Sequence, residues 1–148
     1  MLSGIRHAHS GLRWIVLILL LLAIANAFSG WRSKKSYTDK DKKIHLFAMI
    51  FVHIQVLIGF ISYYLNLGGK VNFGAIKESS MIRFFTVEHM TMMLIAMIVI
   101  TIGFSRSKKI KETPLRFRLV FMTYLIGLVL ILAGIPWPFR AALGAGWF

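Results

Sequence analysis

A bundle of four membrane-spanning α-helices is the fold this sequence predicts, and three observations predict it. Of the 148 residues, 57% are hydrophobic and the mean hydropathy is +0.72, which is more apolar surface than one soluble domain of this size hides. The apolar residues fall into four runs, each close to the roughly 20 residues that a helix needs to cross the hydrocarbon core. The connections between the runs are short. Sequence neighbours are therefore expected to be antiparallel neighbours in space, an all-α, up-down-up-down bundle in a single domain over residues 1–148.

The first helix is expected over about 10–30, around the apolar core from Leu12 to Phe28. Arg6 and Arg13 ahead of that core, with Ala25-Asn26-Ala27 resembling a small-residue cleavage site, also give it the look of a secretory signal. With Met1 at the start of the chain, we expect the segment to stay as a helix of the bundle. The second helix is expected over Ile44 to Leu65, the third over Phe84 to Phe104, and the fourth over Phe117 to Ile135, where Pro136 and Pro138 stop it. Small residues recur along the third and fourth helices at Ala96, Gly103, Gly127 and Gly134, a seam for close approach. Trp14, Trp137 and Trp147 are expected in the outer aromatic belt and Trp31 in the inner one. The tail from Gly144 to Phe148 is expected to fold back over the outer opening.

Orientation follows from the basic residues, because lysine and arginine in short loops stay on the cytoplasmic side. Twelve lie in or beside the loops after the first and third helices, between Arg32 and Lys43 and between Arg106 and Arg118, against six on the other side. Both termini are therefore expected outside. The net charge of +13 does not indicate nucleic acid, since the cations are spread over loops and no basic stripe interleaves with exposed aromatics. Contact with the bilayer and its anionic headgroups accounts for them.

The chain has no cysteine, which excludes disulfides, thiolate metal sites, iron–sulfur ligation and thioether haem attachment. Histidine is left as the principal candidate ligand and methionine as the second. By helical rise, His53 lies near the inner-middle of the bilayer, His89 in the outer half, His9 at the outer interface, His45 at the inner interface, and His7 beyond the membrane. An imidazole at the depth of His53 or His89 needs a partner or a task. For His53 the plain alternative is a hydrogen bond to a backbone carbonyl or to a hydroxyl such as Tyr124 or Thr123. Glu88, beside His89, is expected to form an ion-pair cluster with Arg13 or Arg140, because an unpaired carboxylate there is costly. No hydrolase constellation and no glycine-rich phosphate loop is visible.

Five stretches carry a family resemblance: His9-Ser10-Gly11-Leu12-Arg13-Trp14, His53-Ile54-Gln55, Val87-Glu88-His89, Ile135-Pro136-Trp137-Pro138-Phe139-Arg140 and Gly146-Trp147-Phe148. Together they resemble a family of small bacterial four-helix membrane proteins labelled cytochrome b-like, over nearly the whole chain. The resemblance implies a haem-b electron-transfer protein of the bacterial inner membrane, exchanging electrons with quinone or a respiratory complex, alone or as a subunit. It implies His9, His53 and His89 as candidate iron ligands and Arg13 as a propionate partner; Arg140 is a second arginine able to hold a propionate or a quinone headgroup. Bis-histidine ligation needs two imidazoles at one depth on facing helices. His53 with His89 is the preferred pair because both lie within the apolar region, although they differ by roughly 10 Å in depth.

Two other classes stay open. His89 with Met90, Met92 and Met93, completed by His9, offers imidazole and thioether to copper(I), although Met90 points about 100° away from His89 on a regular helix. A cofactor-free accessory or assembly subunit would use the same histidines as interhelical hydrogen bonds.

Overall fold

The computed structural model describes residues 2–143. Among them, four helices are long and apolar enough to cross a membrane: α1 (Leu2–Ser33), α2 (Asp39–Leu65), α3 (Ser80–Ser107) and α4 (Thr113–Gly134). The expected tail fold-back and Trp147 lie outside the described residues.

Each helix outruns its apolar run, because hydropathy marks the middle of a span while capping chemistry marks its ends. Helix α1 ends where Lys34 takes a left-handed φ of 51°, the usual way to leave a helix. Helix α2 starts at Asp39 instead of Ile44 because Thr38 and Asp41 form a capping box: the Thr38 side chain accepts from the Asp41 N–H, and the Asp41 carboxylate accepts from the Thr38 N–H. Pro114 opens α4 in its first turn, where its missing N–H costs nothing.

Helix α3 is not uniform. It runs as α-helix over Ser80–Arg83, as a π turn over Phe84–Glu88, and as α-helix again over His89–Ser107. The His89 N–H bonds to the Phe84 carbonyl, five residues back. Such a turn inserts one extra residue and re-aims the side chains around it. Its Thr86 is buried and held from outside: Tyr63 Oη donates to the Thr86 carbonyl at 2.9 Å, and the Asn72 N–H donates to Thr86 Oγ1 at 3.0 Å. The end of α2 and the loop after it therefore brace the turn. That loop reverses at Gly68, whose φ of 81° favours glycine.

The helices pack as a ring, α1 on α2 and α4, and α3 on α2 and α4, so that α1 and α3 face each other diagonally. The α3–α4 seam is close because a Cβ at Gly127 would stand 2.5 Å from Ile100 Cγ1. Leu20, Ala23, Ala27, Ala48, Ile100, Phe117, Val120 and Tyr124 fill the centre, all at or below 1% exposure, while Ile18, Leu21, Leu57 and Val129 point outward.

One end of the bundle is tied by a buried polar knot. Asp41 accepts from Thr38 N (2.9 Å) and Thr38 Oγ1 (2.7 Å) on one oxygen, and from Asn26 Nδ2 (2.9 Å) and Lys35 Nζ (2.7 Å) on the other. One turn along α2, His45 is fully buried inside the bundle. Its carbonyl accepts from Tyr124 Oη at 2.7 Å, and its Nδ1 lies 2.8 Å from Tyr37 Oη. Burial pushes the Tyr37 phenol up to about 12. The Arg116 guanidinium sits 3.6 Å over the Tyr37 ring and closes the knot.

Candidate functional site

At the opposite end, the first turns of α1, the last turns of α2, the start of α3 and the end of α4 surround a cavity of about 450 Å³. That is within the usual range for small-molecule sites. Two histidines meet there across the diagonal. His9 of α1 and His89 of α3 have ring centroids 6.2 Å apart and planes at 78°.

Each ring is positioned by backbone. His89 follows the π turn directly, and its Nδ1 donates to the Gly134 carbonyl at 2.7 Å, at the point where α4 ends. That bond fixes the tautomer and leaves Nε2 with its lone pair, the arrangement typical of a ligating histidine. His9 lies against Gly59, where a Cβ would stand 3.1 Å from His9 Cε1. Gln55 Nε2 donates to the His9 carbonyl at 2.8 Å and approaches His9 Nε2 only to 3.5 Å, the outer limit of a hydrogen bond. His9 Nδ1 and Gln55 Oε1 are buried and have no hydrogen-bond partner among the described residues. Buried polar atoms are seldom left so, and both residues line the cavity.

The lining divides by chemistry. Val16, Val52, Val56 and Ile131 form the deep part, and Arg6, His7, Asn66 and Lys70 form the mouth, with Arg13 buried on the wall one turn after His9. Arg6 donates to Asn66 Oδ1 across the mouth. No carboxylate lines the cavity among the described residues.

These residues fit a haem b. A metal about 2 Å from one nitrogen of each ring needs those nitrogens about 4 Å apart, and a 6.2 Å separation of the ring centroids is compatible with that spacing. A macrocycle with two carboxylates also suits an apolar interior with a cationic wall and mouth.

His53 is not part of this site. Its Nδ1 donates to the Met49 carbonyl of its own helix at 2.8 Å and its Nε2 lies 3.2 Å from Thr101 Oγ1, so both ring nitrogens are engaged and the second joins α2 to α3. The hydroxyl is Thr101, on the facing helix, in place of Tyr124 or Thr123. The ring that the structure brings beside His89 is therefore that of His9, whereas His53 was the expected one. Helix α1 starts at Leu2, which carries His9 onto a full helical turn inside the bundle.

The expected cluster of Glu88 with Arg13 and Arg140 is also corrected. Glu88 Oε1 accepts from Arg83 Nε at 2.8 Å on the surface. Residues five apart stack across a π turn, so the turn that aims His89 inward leaves Glu88 beside Arg83. Arg140 lies with Cζ 4.8 Å over the Phe84 ring and Nη1 3.4 Å from the Ala133 carbonyl, outside the cavity. Met90 and Met93 do line the cavity, Met90 despite its place next to His89.

Gln55 and Gly59 are the site residues that hydropathy and histidine spacing do not single out. Gln55, at i+2 from His53 and polar within an apolar run, carries the one available signal. Comparison of the chain with family models, curated proteins and solved structures finds no match.

Proposed function

We propose that the chain is a multi-pass protein of a bacterial inner membrane that holds haem b between His9 and His89 and carries single electrons, exchanging them with quinone or a respiratory complex. The observation that carries this reading is the diagonal pair: two imidazoles from different helices, 6.2 Å apart in one cavity, one of them oriented by a carbonyl. When bound, haem b supplies a reversible one-electron couple.

The chain's own residues bind and tune. The Gly134 carbonyl orients the His89 ring. Gly59 leaves room for His9, while Gln55 anchors the His9 backbone. Arg13, with Arg6 and Lys70, supplies positive charge towards carboxylates. The apolar walls exclude water and so hold the local dielectric low.

In this reading the bundle runs up-down-up-down with both termini away from the cytoplasm. Supporting it, His9 near the start of α1 meets Gln55 late in α2, and Asn26 late in α1 meets Asp41 at the start of α2. The cation bias of the loops orients it.

Copper(I) is a second reading, favoured by Met90 and Met93 lining the same cavity as the two imidazoles. Reduced-minus-oxidised visible spectra and elemental analysis of the purified chain separate the two. Stoichiometric b-type bands support haem; copper without those bands supports the second reading; a colourless, metal-free protein overturns both.

A further inference from the structure

We propose that the groove between α1 and α2 at the Asp41 end holds one anionic phospholipid, with an acyl chain along Leu19, Leu22, Phe47 and Phe51 and the phosphate at Lys40 and Lys43. The groove measures about 690 Å³, and apart from Asn26 and the two lysines its lining is wholly apolar. It is separate from the histidine cavity and does not depend on what that cavity binds.

Length and charge identify the occupant. From Lys40 to Phe51 the helix rises about 16 Å, close to half of a ~30 Å hydrocarbon core, so the groove spans one leaflet. The lysines lie at its membrane-surface end, where a headgroup sits. Neither makes an ion pair among the described residues. Asp41, the carboxylate between them in sequence, is turned inward and occupied by Thr38, Asn26 and Lys35. Asp39 is exposed and does not line the groove. The cationic end is therefore uncompensated from within the chain, and a lipid phosphate complements it, whereas a zwitterionic headgroup brings its own ammonium into the same space.

Native mass spectrometry of the full chain, released from micelles containing equal phosphatidylglycerol and phosphatidylcholine, tests this. One retained phosphatidylglycerol is expected, preferred over phosphatidylcholine by about 30-fold from two near-surface lysines. K40Q/K43Q should bring the preference close to parity, and L19W, which fills the groove and keeps the lysines, should lower retention of either lipid. The matched charge loss K108Q/K109Q on the other hairpin should leave retention as in the wild type. Equal retention of both lipids by the wild-type chain overturns the proposal. So does a K40Q/K43Q chain that keeps the preference, an L19W chain that retains lipid as before, or a K108Q/K109Q chain that loses it equally.

Discussion

Replacing Asp41 with alanine probes the knot that joins α1, α2 and their loop. The carboxylate is 2% exposed and takes four donors. Not all four weigh equally. Lys35 is 41% exposed at its side chain, so its ammonium returns to water and its loss costs under about 1 kcal/mol. The reciprocal half of the capping box, in which the carboxylate accepts from Thr38, contributes about 1 kcal/mol. The Asn26 amide, half-buried between two helices, is left without its acceptor, at about 1–3 kcal/mol. Together D41A is expected to destabilise the fold by about 2–4 kcal/mol, with K35M costing less than about 1 kcal/mol. D41N, which keeps one acceptor oxygen, should fall between them. Unfolding by SDS titration in mixed micelles, followed by far-ultraviolet circular dichroism, measures all three. A D41A chain within about 0.5 kcal/mol of wild type, or a K35M chain as unstable as D41A, would refute this reasoning.

Three further substitutions test other joints. Y124F removes the donor to the His45 carbonyl and should cost about 1–2 kcal/mol in the same titration. G127V presses into Ile100 and should cost about 1–3 kcal/mol by overpacking; G127V/I100A should recover part of it, and no recovery would mean that the α3–α4 seam is not limited by this contact. G59L drives a side chain into the His9 ring and should lower bound cofactor per protein severalfold while far-ultraviolet helicity is kept. Unchanged cofactor content in G59L would remove His9 from the site.

The four spans were legible because a membrane helix writes its middle in consecutive apolar residues. The ends were not, since Thr38 and Asp41 cap α2 through two side chains that hydropathy scores only as polar loop. His9 and His89 were both legible as candidates, but their pairing was not. Depth counted from apolar boundaries assumes regular helices that begin where hydropathy rises; α1 begins earlier, and the π turn at Phe84–Glu88 shifts the phase of everything ahead of it. The same turn misled the reading of Glu88, whose partner five residues away is not a neighbour on a regular helix. His53 reads equally as ligand or as hydrogen-bonding residue in the sequence, and its bond to Thr101 depends on how the facing helix is placed, which spacing does not give. His45 fell into the knot because Asp41, one turn earlier, is drawn inside by its donors.

The central claim is that His9 and His89, and not His53, hold the cofactor, and the most direct test is the reduced-minus-oxidised spectrum of H9A, H89A and H53A purified in parallel with the wild-type chain. The account predicts b-type bands in wild type and H53A, and their loss or displacement in both H9A and H89A. Bands that vanish in H53A and persist in H9A would contradict it.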